Sequence, residues 1–143
     1  GRIAAAGAPW ASRGDRSGTH RREQELWRKS GLPEPSWAGA LSTGQGMGET
    51  ARIASEKGAY TLVDRGTFLA LRATLDLIVV AEGGAELLNP YHVIVVNPDR
   101  APGGHAAEAR EVAEWLVSAP VQRVIGDFGR AELGQPLFVP DAG

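Results

Sequence analysis

Pro9-Trp10-Ala11-Ser12-Arg13-Gly14-Asp15-Arg16-Ser17-Gly18-Thr19-His20 is the stretch on which the fold turns. Trp10 to Ser12 suit a short strand and Arg13-Gly14-Asp15 a turn; Ser17 suits the cap of a helix that opens on Gly18 and Thr19. That helix is predicted from about Ser17 to Lys29, ending near Gly31 with Pro33 beyond it. A strand passed through a tight turn into a helix is the repeating step of an α/β protein.

The same alternation extends on both sides. Gly1-Arg2-Ile3-Ala4-Ala5-Ala6 reads as the end of a helix already in progress, stopped by Gly7. The expectation is therefore a chain that starts mid-protein, so that the lack of a basic, apolar, small-residue signal pattern says nothing about export. Residues 33–48 are rich in Pro, Gly and Ser and are predicted to be mostly loop. A helix follows from about Met47 to Lys57 with Gly58 as its left-handed cap, then a strand over Tyr60-Thr61-Leu62-Val63. Asp64 caps the next helix, which carries Phe68, Leu69 and Leu71. Leu75 to Val80 and Tyr91 to Val96 are apolar runs rich in branched residues, predicted as buried strands joined by a loop around Gly83-Gly84. In Ala106 to Val117, the residues Ala106, Ala109, Val112, Ala113, Leu116 and Val117 share one helix face. Ser118-Ala119-Pro120 opens a last helix ending near Gly129, and Gln135 to Pro140 is predicted extended.

The chain has 143 residues, enough for one compact domain or for most of one lobe plus part of another. With 43% hydrophobic and 22% charged residues it is a folding sequence. The net charge of −2 argues against non-specific binding of nucleic acid or membrane. Six basic residues between Arg13 and Lys29 face only Asp15, Glu23 and Glu25, so an anion would be drawn there. From Asp99 onward, four arginines face seven carboxylates. The absence of cysteine excludes disulfides, thiolate metal sites and cysteine nucleophiles. No segment reaches the roughly 20 apolar residues of a membrane helix.

Ser12 to His20 also carries the chemistry. The first N–H groups of a helix lack internal partners and bear partial positive charge. Gly18 lets an anion approach that backbone, Ser17 and Thr19 add hydroxyl donors, and Arg13 offers a planar fork of donors to a tetrahedral oxyanion. Ser17 and Asp15 are equally ordinary helix-cap residues, and from these residues alone the anion site and the plain cap stand level. Arg13-Gly14-Asp15 is also the tripeptide that integrins read, a match too short to weigh. Thr43-Gly44-Gln45-Gly46-Met47-Gly48 is a second glycine-rich turn leading into a helix. It has no acidic residue placed as a dinucleotide site requires. Asp15, Ser17 and His20 sit on one helix turn and cannot form a hydrolase relay. His92 reads as a core residue of an apolar strand, His105 is isolated, and no spacing resembles a metal site. No enzyme chemistry emerges.

SRGDRSGTH followed by a helix bearing Glu and Trp resembles the tungstate-binding proteins of ABC transporters. So do TGQGMGET, EKGAYTLVDRGTFLAL, NPYHVIVVNP and the ending GQPLFVPDAG, in collinear order over nearly the whole chain. That family is similar to the molybdate- and phosphate-binding proteins of the two-lobed periplasmic class (type II), whose lobes close over the ligand. The resemblance implies an oxyanion-binding lobe over residues 1–90. Residues 91–143 would hold the crossover strand, near Asn89 to Asn97, and the C-terminal helices of the other lobe. It implies a cleft face made by Ser12, Arg13, Ser17, Gly18 and Thr19, with Arg13 the main charge partner. It further implies an exported, periplasmic or membrane-associated extracytoplasmic protein, tungstate or molybdate as ligand, no cofactor, and an ABC-transporter permease as partner. A ligand-sensing domain of a transcription regulator and a pure interaction module are the alternatives. The family's earlier threonine- and serine-rich motif, which supplies the other half of the ligand shell, has no match here. The apolar face of Ala106 to Val117 is accordingly expected to be buried against the rest of this chain or against a second copy, by swapping or as a homodimer.

Overall fold

The computed structural model describes residues 1–32 and 34–142, so the expectations attached to Pro33 and Gly143 lie outside the described residues. The chain divides into two compact units that meet between Leu87 and Leu88.

The first unit is built around a parallel sheet of three short strands in the order β2-β1-β3: β1 (Trp10–Ser12), β2 (Ala40–Ser42) and β3 (Tyr60–Thr61). Trp10 pairs in register with Ala40 and Tyr60, and Ser12 with Ser42, so β1 lies in the middle. A short helix α1 (Arg2–Ala5) precedes the sheet. The strands are followed in turn by α2 (Gly18–Lys29), α3 (Met47–Glu56) and α4 (Arg65–Leu71).

Successive side chains of a strand point to opposite faces, and β1 displays that rule clearly. Trp10 and Ser12 both turn to α2, where they meet Glu23. Ala11 turns the other way and forms a closed cluster with Ala54 of α3 and Ala59, with Leu77 packed on it. Helices α2 and α3 therefore cover opposite faces of the sheet. The core is small but dense on the α2 side. Trp27 packs edge-on against Trp10 at 5.0 Å and against Trp37 at 5.5 Å, the spacing at which aromatic quadrupoles attract.

The helix ends follow the expected capping chemistry. After Lys29 the chain closes with Gly31 N–H on the Arg28 carbonyl and Leu32 N–H on the Trp27 carbonyl, Gly31 supplying φ of 75°. Gly58 plays the same left-handed part after α3, with φ of 57°. Asp64 caps α4 by accepting the Thr67 N–H and hydroxyl at 2.8 and 2.7 Å.

Within the stretch predicted as mostly loop, β2 is a short strand held by its register on β1. Other expectations are corrected. Leu75–Val80 and Tyr91–Val96 are not strands among the described residues. Leu75 and Leu77 lie partly buried and Asp76 N–H bonds Ser55 Oγ, but Ile78, Tyr91 and Ile94 are about four-fifths exposed. His92 is exposed as well, and so is not a core histidine. The composition of such runs states what they could pair with, whereas pairing itself needs a neighbouring strand in register, and neither run is placed beside one among the described residues.

The second unit contains α5 (Ala106–Val117), α6 (Ala119–Asp127) and α7 (Arg130–Leu133). Phe138 of the extended tail meets Tyr91 and Phe128, each at 6.0 Å, and Leu137 N–H bonds the Phe128 carbonyl. No residue of α5 is buried, and Val112, Trp115 and Val117 stay largely exposed. Ala106, Ala113 and Leu116 of its apolar face are partly buried and Ala109 is exposed, so the face is only partly covered, short of the burial expected. No helix among the described residues is long and apolar enough to cross a membrane.

Candidate functional site

In a parallel sheet all strand ends of one kind lie along one edge. The loops after β1 and β2 therefore both leave from the carboxyl edge and enter helices on opposite faces. In open α/β sheets ligands are received where successive loops diverge in this way, outside the carboxyl end of the strands. The two loops are tied together. Thr43 N–H donates to the Ser12 carbonyl at 2.9 Å, Thr43 Oγ1 reaches the Arg13 carbonyl at 3.4 Å, and Thr43 and Thr50 hydroxyls bond at 2.8 Å.

Gly14 sits where the loops come closest. Its φ is 63°, and a Cβ built there would stand 1.8 Å from Ser42 Oγ and 3.1 Å from Ser42 Cβ. A left-handed backbone alone costs an L-residue about 1–2 kcal/mol. Gly14→Ala is thus expected to destabilise the chain by about 2 kcal/mol or more, read as a lower urea midpoint at unchanged slope. An unchanged midpoint would show that this turn is not held as described.

Asp15 closes the loop on itself. Its Oδ2 lies 2.5 Å from Arg13 Nη2, and its Oδ1 accepts the Ser17 N–H at 3.1 Å. The hydrogen bond from the Ser17 side chain is the main reason its carboxyl is lowered from 3.8 to about 2; desolvation opposes this, and the Ser17 N–H and Arg13 reinforce it. Asp15 is therefore ionised at any neutral pH and its acceptor oxygens serve its own loop. In this loop it acts as a cap.

Ser17 is the N-cap of α2; its Oγ accepts the His20 N–H at 3.3 Å and its carbonyl accepts from Arg21. The N–H groups of Gly18 and Thr19, at the first two helical positions, have no acceptor among the described residues. A Cβ at Gly18 would meet nothing within 4 Å, so the approach to this backbone is open. The Arg13 side chain is 16% exposed, and its Nε is buried without a hydrogen-bond partner among the described residues. Arg13, Ser17, Gly18 and Thr19 thus belong to one loop and its following helix turn.

Ser12 ends β1 as expected, but its hydroxyl hydrogen goes to Glu23 Oε2 at 2.8 Å. Glu23, only 3% exposed, also accepts Trp10 Nε1–H at 2.8 Å, so both carboxylate oxygens are occupied. In the sequence Glu23 stands out as a local charge and as part of the helix bearing Glu and Trp, with no buried role predicted for it. The signal that could have found it is the four-residue spacing Thr19, Glu23, Trp27, which puts the carboxylate on the tryptophan's side of the helix.

Two surface hollows lie away from this loop: one of about 170 Å³ is lined by residues including Trp10, Glu23 and Trp27, the other by Gln24, Arg28, Leu32 and Glu34. Among the described residues no group of three His, Cys, Asp or Glu could hold a metal ion.

A parallel sheet whose strands are each followed by a helix, with a mostly buried guanidinium and unpartnered helix N–H groups after the central strand, is the architecture of an α/β binding domain. The chain belongs to the PBP superfamily, whose domain matches residues 1–120. It is 43% identical over 132 residues to the tungstate-binding protein TupA of Peptoclostridium acidaminophilum, a match covering 92% of this chain and 46% of that protein. It is 39% identical over 137 residues to TupA of Campylobacter jejuni, covering 92% and 49%. The solved tungstate-binding protein TupA of Desulfovibrio alaskensis superposes with a TM-score of 0.79 at 37% identity, over 99% of this chain and 58% of that one. The chain thus spans about half the length of the curated relatives it matches.

Proposed function

We propose that this chain is part of an extracytoplasmic solute-binding protein that captures tungstate for uptake through an ABC-transporter permease, with molybdate as the nearest competing ligand. The observation that carries this reading is Arg13. Its mostly buried guanidinium, with Nε unpartnered among the described residues, stands in the loop that leads to the open N–H groups of Gly18 and Thr19. Three kinds of donor then converge on an anion: a planar cation, backbone N–H groups at a helix start, and the hydroxyls of Ser17 and Thr19. Ser12 serves from behind, fixing the strand end that launches the loop.

A set made of donors suits an oxyanion that is fully ionised at neutral pH. Hydrogen phosphate brings a proton that needs an acceptor, and the nearby carboxylate, Asp15, is already committed to Arg13 and Ser17. The names of the relatives favour tungstate among such dianions. In this reading no step of covalent chemistry is involved and no cofactor is needed. Residues 1–90 act as the oxyanion-binding lobe, residues 91–143 contribute the crossover and helices of the other lobe, and a second copy covers the open face of α5.

Calorimetric titration with tungstate, beside molybdate, sulfate and phosphate, tests the reading. Saturable heat with tungstate and molybdate, weaker heat with sulfate and none with phosphate is the expected pattern. Phosphate binding as tight as tungstate would overturn the donor-only argument, and no binding of any of the four by the full-length protein would overturn the function.

A further inference from the structure

Arg16 is, among the described residues, the one residue other than glycine with a positive φ, at 60°. That conformation is strained for an L-residue and persists only where its surroundings hold it. The hold is His20. Its Nδ1 accepts the Arg16 N–H at 3.0 Å, while its own N–H is capped by Ser17 Oγ. The arrangement is a shifted capping box. In the usual form the side chain at the third helical position reaches back to the N–H of the cap residue. Here the cap's N–H is already given to Asp15 Oδ1, so the His20 ring reaches one residue further, to Arg16. Consecutive N–H groups, those of Arg16 and Ser17, are thereby pinned by two different side chains, and the curvature of the loop carrying Arg13 is set.

We propose that His20 is a positioning residue of the oxyanion site and that the acceptor at its Nδ1 keeps the loop assembled. Nδ1 accepts a hydrogen bond, so the ring hydrogen resides on Nε2, which lies 3.7 Å from Glu34 Oε1. Glu34, on the segment after α2 and also bonded by Gln24, is the charged group facing the ring from that side. On the loop side stand the Arg16 backbone and the closed Arg13–Asp15 pair. The functional half of this inference rests on the oxyanion reading; the contact itself does not.

The test uses the full-length protein with His20→Asn and His20→Leu. Asparagine puts an acceptor oxygen where Nδ1 stood; leucine removes the acceptor. The asparagine variant should keep the wild-type tungstate affinity, and the leucine variant should bind about fivefold or more weakly. Amide hydrogen exchange at Arg16, read without ligand at one pH, should be slow in the wild type and the asparagine variant and fast in the leucine variant. A leucine variant that binds as the wild type does would overturn the positioning role, even with faster exchange. An asparagine variant that binds as weakly as the leucine variant would overturn the part played by the acceptor. Failure of every protein to bind tungstate, the wild type included, would instead remove the oxyanion reading and this role together.

Discussion

Glu23→Ala is expected to destabilise the chain by about 3–5 kcal/mol, a large part of the roughly 5–15 kcal/mol that holds a domain of this kind together. The reason lies in what the carboxylate does. It is buried, and its two oxygens accept one hydrogen each from Trp10 Nε1 and Ser12 Oγ. Alanine leaves both donors inside without a partner, at about 1–3 kcal/mol for each unsatisfied group, and opens a void beside Trp27. Glu23→Gln separates the causes. It keeps the volume and one acceptor oxygen, but its NH₂ faces a donor, so a loss of about 1–2 kcal/mol is expected. Urea unfolding followed by tryptophan emission reads both, because Trp10 and Trp27 are in ring contact and report the environment of Glu23 directly. An alanine variant within about 1 kcal/mol of the wild type would mean that the network contributes little net stability. The site would feel the same substitution, since Glu23 fixes the hydroxyl of Ser12 and with it the point where β1 hands over to the Arg13 loop.

The sequence is most legible where structure is decided within a few residues. The step from Trp10 to the first turn of α2 needs only a strand former, a glycine at a left-handed position and a serine cap, and all three stand where they were read. Gly31 and Gly58 ended their helices for the same local reason. What could not be read is what depends on a distant partner. Ala40–Ser42 carries no strong strand signal and becomes a strand because β1 offers it a register. Leu75–Val80 and Tyr91–Val96 carry the signal but find no neighbour among the described residues, and most of their apolar side chains stay exposed. The apolar stripe of α5 is correctly placed on a helix and left only partly covered for the same reason. In the site, Asp15 as a cap was one of the readings that residues 12–20 allowed; the choice was made by its two bonds to Arg13 and Ser17. Glu23 escaped because a glutamate on a helix is usually solvated, and only the tryptophans on both sides of it, Trp10 across the sheet contact and Trp27 one turn on, reveal the buried side.

Arg13→Ala is expected to weaken tungstate binding by about 1.5–3 kcal/mol, roughly tenfold to 150-fold in Kd, measured by calorimetry in the full-length protein. Two effects add. The charge-assisted contact disappears, and Asp15 loses the cation that faces it, so an ionised carboxylate is left beside a dianion. The double variant Arg13→Ala with Asp15→Asn distinguishes them: if the freed carboxylate matters, removing its charge should recover part of the loss, and the two substitutions should not add. Arg13→Lys keeps the charge but not the planar fork, and an intermediate affinity is expected if two donors meet the oxyanion. A Kd for Arg13→Ala within about twofold of the wild type, less than one ordinary hydrogen bond, would move the oxyanion away from Arg13. The open N–H groups of Gly18 and Thr19 would then be its main seat, and the unpartnered Nε of Arg13 would need another explanation.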